Sequence, residues 1–353
     1  MKSDLKNSKK GSVKNESLII SNHEIAPGSY RTVEIPLAST VTHSDLHLTA
    51  HIVHGKQAGP KLFVTAAIHG DEINGVEVIR RLVNLKQLNR IKGTLIAIPI
   101  VNVHGFITQS RYLPDGRDLN RSFPGSSSGS LASRMADTLL KEIISKCTHG
   151  IDLHTGARHR ENLPQIRANL DNEELKAMAN AFGVPAILNS KIRDGSLRAS
   201  AVDAGIPVLV YEAGEALRFD EISIRAGLRG IQNVMRHIGM LPKRRREETV
   251  KKPVVSAHTA WVRAPHSGIL RTRVKLGSKV EANSTLGIIA DPLGFSEYKV
   301  VAPDEAMVIG RTNLPLVHEG DALYHLAYYR QQVDAVVDQV ESFNELLDPE
   351  SGV

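Results

Sequence analysis

The tetrad His69-Gly-Asp-Glu72 stands where an apolar run, "LFVTAAI", gives way to an amphipathic pattern. An imidazole and a carboxylate three residues apart can hold a metal or pass a proton. With 15 His and 21 Glu in 353 residues, roughly one His-x-x-Glu arises by chance, so the spacing alone carries little. Context adds weight. His154 ends "GIDLH" and Glu212 ends "PVLVYE", so three apolar runs of strand type each deliver such residues at their ends. Two imidazoles and one carboxylate make the three-ligand set of a catalytic zinc site, leaving a fourth position for water or substrate. The remaining glutamate can take a proton from that water. The alternative for His154, a hydrogen-bonded histidine at a strand end, loses weight beside the other three residues.

A second cluster lies in "QSRYLPDGRDLNRSFPG", which gathers Arg111, Arg117, Asn120 and Arg121 within eleven residues. Guanidinium forks bind carboxylates bidentately, so a small-molecule substrate with a free carboxylate is expected. Pairing with Asp115 and Asp118 as structure is the competing reading, above all for Arg117.

These residues need a scaffold that brings strand ends together. Residues 61–68 read as a strand, 72–86 as a helix, 94–100 as a strand, 101–128 as a polar loop and 130–146 as a helix. Strands ending at His154 and Glu212 follow, then a closing helix near 219–238. Such alternation indicates an α/β domain, with a mixed, largely parallel sheet flanked by helices. In open sheets of this kind ligands bind beyond the carboxyl ends of the strands, where these residues fall.

The expected organisation is a disordered basic tail over 1–28, the α/β domain over 29–241 and a basic linker over 242–256. A small all-β barrel-sandwich module over 257–328 and a C-terminal helix and tail over 329–353 complete it. The β module is read from a degenerate repeat that matches Ala264-Pro265 with Ala302-Pro303. In the last segment Val333, Val336, Val337, Val340, Phe343, Leu346 and Leu347 share one helical face. Docking onto the same chain is favoured there over a subunit contact, and a homo-oligomer stays possible.

Charge and composition exclude several classes. The net charge is +6, but residues 1–15 and the run "KRRREETVKK" each carry about +4, so the rest of the chain is slightly acidic. No basic face for nucleic acid is expected. No apolar run approaches the roughly 18 residues of a membrane span, and no secretory signal precedes the domain, so the expectation is a cytoplasmic protein without membrane contact. The single cysteine, Cys147, ends a helical pattern and reads as structural; any metal must use His and carboxylate ligands.

"HGDE", "DLNRSFPG", "DLHTG" and "YEAGE", in that order, resemble the succinylglutamate desuccinylase and aspartoacylase family of the zinc carboxypeptidase superfamily. The resemblance covers about residues 45–330. It implies one Zn²⁺ per chain on His69, Glu72 and His154, with Glu212 as general base and later proton donor. It also implies that Arg111 polarises the scissile carbonyl while Asn120 and Arg121, with Arg117 nearby, hold the substrate carboxylate. Asp71 is expected to orient His69 from behind. One departure stands out. Aspartoacylases place a further arginine about ten residues before the catalytic Glu, where this chain has Val202, with Arg198 four residues earlier.

The expected activity is therefore a zinc amidohydrolase that deacylates an N-acyl amino acid. A zinc carboxypeptidase shares the chemistry and differs in how much substrate lies on the acyl side; a catalytically dead scaffold is the third reading. The β module also resembles biotinyl and lipoyl carrier domains, but "DPLGFSEY", residues 291–298, holds no lysine where the cofactor would attach. Narrowing the access to the site, or an oligomer contact, is its expected role.

Overall fold

The computed structural model describes residues 13–39, 43, 45–244, 254–329 and 334–347. A hairpin of β1 (Leu18–Ile20) and β2 (His23–Ile25) precedes the antiparallel ribbon β3 (Ser29–Ser39) and β4 (Asp45–His54). Then come β5 (Gln57–Ala66), α1 (Asn74–Val83), β6 (Lys92–Ile98), the short α2 (Val103–Ile107) and α3 (Leu131–Glu142). The α/β part closes with β7 (His149–Gly156), β8 (Arg160–Ala168), α4 (Glu173–Phe182), β9 (Ala186–Asn189), α5 (Leu197–Asp203), β10 (Val208–Glu215) and α6 (Glu221–His237).

The centre of the sheet is parallel, as expected: β10, β7, β5 and β6 lie side by side in one direction. Antiparallel strands extend it on both flanks, β4 and β3 beyond β6 and β8 beyond β10. Strand β5 shows why its sequence reads as an unbroken apolar run. Leu62, Val64 and Ala66 face one core with α1, α4 and α6, while Phe63 faces a second core with α3 and α5. A strand covered on both faces has no polar side to alternate. Helix α1 buries Val78, Ile79 and Leu82, a spacing that keeps one stripe on the sheet.

The C-terminal half comprises β11 (Val254–Ser256), β12 (His258–Arg263), β13 (Gly268–Thr272), β14 (Lys279–Val280) and β15 (Thr285–Ala290). It continues with β16 (Glu297–Val301), β17 (Ala306–Thr312), β18 (Leu316–Val317), β19 (Ala322–Tyr328) and α7 (Asp334–Leu347). Strands β16, β15, β13 and β18 form one sheet; β12, β19, β17 and β14 face it across a core that includes Leu286, Leu323 and Tyr324. The expected sandwich is thus present, but it is not a separate body. Strand β17 pairs antiparallel with β8, so half of the sandwich continues the α/β sheet.

Two expected boundaries move. The tail does not run to residue 28, because Leu18, Ile20 and Ile25 are buried in the second core and the Asn15 amide bonds the Lys56 carbonyl. The linker does not run to residue 256, because β11 pairs parallel with β9. Residues 1–12 and 245–253 lie outside the described residues, as does Val333. Helix α7 docks on its own chain: Phe343 and Leu347 enter the first core, and Val340 meets Leu163, Met307 and Ile309 at the junction of the two halves. Among the described residues no helix is long and apolar enough to cross a membrane.

Cys147 is buried in the second core, and burial pushes its thiol up to about 12 against the opposing pull of Lys61 and Lys146. An inert structural thiol follows. In native protein at pH 8, Cys147 should resist a thiol-specific reagent that modifies it rapidly in denaturant; labelling at equal rates in both states would contradict this burial.

Candidate active site

The turn between β5 and α1 sets the first two residues. Strand β5 ends at Ala66, Ala67 adopts a left-handed φ of 49°, and the Glu72 amide bonds the His69 carbonyl, so both side chains leave the turn beyond the strand end. Helix α1 begins at Asn74, two residues later than the sequence suggests. Gly70 is required by contact: a Cβ there would lie 1.9 Å from the Gly105 carbonyl carbon of α2. The loop after β6 is thereby seated on the loop after β5, with the Val101 and Asn102 amides bonding the Ala66 and Ala67 carbonyls.

His154 lies inside β7, and Glu212 is its direct neighbour on β10. His69, Glu72 and His154 converge, with one ligand atom from each within 4.8 Å of the others; among the described residues they are the only such group of three or more. Glu72 Oε1 is 2.7 Å from His69 Nδ1, and Oε2 is 2.8 Å from His154 Nδ1. Behind His154, Asp152 Oδ2 sits 2.8 Å from Nε2 and its Oδ1 accepts from Thr65. Behind His69, Asp118 Oδ1 lies 3.3 Å from Nε2, within ion-pair range but without hydrogen-bond alignment. Carboxylates at the rear nitrogens leave both Nδ1 atoms aimed forward, the arrangement found behind metal-bound histidines. The donor set and its convergence fit a divalent cation.

Electrostatics match that geometry. Burial pushes the Glu72 carboxyl up, but His69 and His154 together outweigh it and hold it well below the usual range. Burial pushes the His154 imidazole down, yet Asp152 and Glu72 raise it well above its ordinary value; His69 is raised too, by Glu72 and Asp118 against burial.

The remaining residues divide. Arg111 donates to Glu72 at 3.3 Å and to Asp118 at 2.9 Å, within the site. Asn120 and Arg121 line the same cavity of about 630 Å³, and Asn120 Oδ1 accepts from the Leu197 amide at the start of α5. Arg117 does not line it: its guanidinium is exposed and paired with Asp115 at 2.6 Å, the competing reading of that arginine. Asp71 does not back His69 either, since its carboxylate turns toward Arg158 and Asp118 takes that place. Glu212 faces the cavity outside the ligand group, its Oε2 accepting from Asn162 at 2.9 Å and its Oε1 3.5 Å from Arg167. Arg198, noted for its offset position, also lines the cavity, but its guanidinium is spent on the Arg167 and Lys191 carbonyls and the Ser190 hydroxyl.

Sequence reasoning missed Asp118, Asp152, Asn162 and Arg167. Asp152 had a signal, since two residues before His154 on a strand is the same face. Thr259, Trp261 and His325 of the C-terminal half complete the lining.

Residues 58–238 match the family model for the succinylglutamate desuccinylase/aspartoacylase catalytic domain. The chain belongs to that family. A curated relative, N-alpha-acetyl-L-2,4-diaminobutyric acid deacetylase from Halomonas elongata, is 27% identical over 76% of this chain and 82% of its own length. Two solved structures share the fold. The ectoine utilization protein EutE (DoeB) from Ruegeria pomeroyi has a TM-score of 0.76 at 22% identity, covering 85% of this chain and 95% of that one. A succinylglutamate desuccinylase/aspartoacylase from Rhodobacter sphaeroides has 0.75 at 23%, covering 85% and 96%. Membership makes the chain a hydrolase of amide C–N bonds.

A cation must displace protons that the raised imidazoles hold more firmly than a free histidine does. Its affinity should therefore fall in acid and keep rising above the ordinary imidazole pKa of about 6.5. Zinc titrations against a competing chelator from pH 6 to 8, with calorimetry in two buffers to count released protons, should show both effects; a flat affinity without proton release would contradict the coupling.

Proposed function

We propose that the protein is a zinc-dependent deacylase that hydrolyses an N-acyl amino acid with a free carboxylate to a carboxylic acid and an amine. The observation that carries this reading is the separation of the two glutamates: Glu72 closes the cluster with His69 and His154, while Glu212, opposite His154 on the next strand, stands apart and faces the cavity. His69, Glu72 and His154 would hold the zinc. Bound there, it supplies a Lewis acid that acidifies a water and polarises a carbonyl oxygen.

Glu212 takes a proton from the attacking water as its oxygen bonds the carbonyl carbon, and passes that proton to the nitrogen as the C–N bond breaks. Asn162 holds one oxygen of Glu212, which fixes the direction from which the proton is taken. Arg121 and Asn120, which line the cavity, orient the substrate through its carboxylate, and Arg111, beside Glu72, polarises the carbonyl. The cavity volume is that of a small-molecule site, and its wall is shared with the C-terminal module, which favours a short acyl group over a long peptide. The deacetylase activity named for the Halomonas elongata relative points the same way.

Glu212→Gln keeps size and much of the hydrogen bonding but cannot accept the proton. Zinc content should hold while kcat falls by about 10² to 10⁴-fold; turnover at the wild-type rate would remove Glu212 from the mechanism. Arg121→Ala should lower kcat/KM about 10 to 100-fold on carboxylate-bearing substrates, with lysine restoring part. Equal losses on amidated analogues would make Arg121 structural. Rates that rise with peptide length on the acyl side would favour the carboxypeptidase.

A further inference from the structure

One amide sits where the fold gives it no partner. Gln165 on β8 is fully buried, at 0% exposure, and neither its Oε1 nor its Nε2 bonds a protein atom among the described residues. On one side its neighbour is Ala186 of β9, part of the apolar seam that holds Leu163, Leu188, Met307 and Ile309. On the other side its direct partner in the antiparallel register is Glu212 of β10. A buried amide without a bond costs stability, and a methionine of equal length would meet the seam without that cost. Of the two cross-strand neighbours, the carboxylate is the one that can use an amide.

The register sets how near the two side chains are. Opposed residues of an antiparallel pair leave the same face with Cβ atoms about 4.5 to 5.5 Å apart. Two residues along, Arg167 and Val210 are opposed in the same way and both line the cavity. A glutamine and a glutamate can bond across such a gap, and the soft terminal torsion of the amide lets it turn onto the carboxylate. Glu212 leaves room for that bond. Its Oε2 accepts from Asn162 at 2.9 Å, whereas its Oε1 stands 3.5 Å from Arg167.

Both of those neighbours donate, which suits a carboxylate and fails a carboxylic acid. A guanidinium has no acceptor. Asn162 turns its Oδ1 toward Gly310, where a Cβ would meet it at 2.9 Å. Once Glu212 has taken a proton, its O–H needs an acceptor. Gln165 Oε1 is buried, unpartnered and on the facing residue. An amide can donate through Nε2 to the carboxylate and accept through Oε1 from the acid.

We propose that Gln165 is a positioning residue for Glu212, bonding it in both protonation states so that it keeps one orientation between taking the proton from water and giving it to the leaving nitrogen. The proposal rests on the deacylase reading and names the residue that steadies its base. Gln165 lies outside the cavity lining, so it acts through Glu212 and not on the substrate.

Gln165→Met should lower kcat about 10 to 100-fold, the loss of a hydrogen bond to a charged group, while KM stays within about twofold and zinc content holds. Gln165→Leu should do the same, which separates the missing amide from a misfit of the methionine. In Glu212→Ala, which has no carboxyl to hold, Gln165→Met should change kcat by less than about twofold. A residue that only packs would cost the same factor in both backgrounds. Urea unfolding of the wild type, the two single variants and the double variant reads the pair without turnover: the midpoint shift caused by Gln165→Met should differ between the backgrounds. An unchanged kcat in zinc-replete Gln165→Met, equal fractional losses in both backgrounds, or additive midpoint shifts would overturn the proposal. If the wild type hydrolyses no N-acyl amino acid, the deacylase reading fails, while the unfolding cycle still decides whether Gln165 bonds Glu212.

Discussion

A carboxylate only 3% exposed must be paired, because its desolvation alone would drive it to protonate or to open the turn that holds it. Glu72 meets that condition by giving one oxygen to each of two imidazoles, and each imidazole is backed by another acid, Asp118 or Asp152. Removing a partner from such a buried pair costs about 3 to 5 kcal/mol, since the charge left behind has lost its water as well. The cluster is therefore stable only if its members arrive from fixed places. Neighbouring parallel strands provide them: β7 carries Asp152 and His154, and the turn after β5 carries His69 and Glu72.

The same need for fixed positions explains why the β module is joined by a sheet and not by a tether. Pairing of β17 with β8 extends the hydrogen-bonded register from the module to the strand that bears Asn162, one strand from Glu212. Val340 of α7 closes an apolar seam with Leu163, Met307 and Ile309 at that junction. A side chain on the module is thus held relative to the strands that carry His154 and Glu212 by backbone geometry. This is how Trp261, some fifty residues beyond Glu212 in the chain, can stand in the cavity wall.

The parts legible in sequence are those set by local pattern. Strands covered on both faces read as apolar runs, and the residues at their ends read as a site because chance does not place four such side chains there. What escaped is set by tertiary pairing. The hairpin at Leu18–Ile25 was hidden in a lysine-rich tail, since three-residue strands carry too short an alternation to register. Asp118 was visible as a residue, yet its place behind His69 depends on a loop anchored through Gly70 and Gly105, a contact without a sequence period. Arg117 and Arg121 are alike in type and four apart. Only the fold separates them, sending one to Asp115 and the other to the cavity.

Two glutamates of the same chemistry end up suited to different tasks because of what donates to them. Glu72 has both oxygens taken, by two imidazoles, the Thr155 amide and Arg111, so a proton arriving there would have to break charge-assisted bonds. Glu212 has one firm donor, Asn162 on Oε2, while Oε1 is 3.5 Å from Arg167, too long for a strong bond. A carboxylate with one oxygen fixed and the other lightly held keeps its orientation and still has a lone pair to offer. On the proposed reading the division of roles follows from Asn162 on β8, from His69 in the turn after β5 and from His154 on β7 more than from the glutamates themselves.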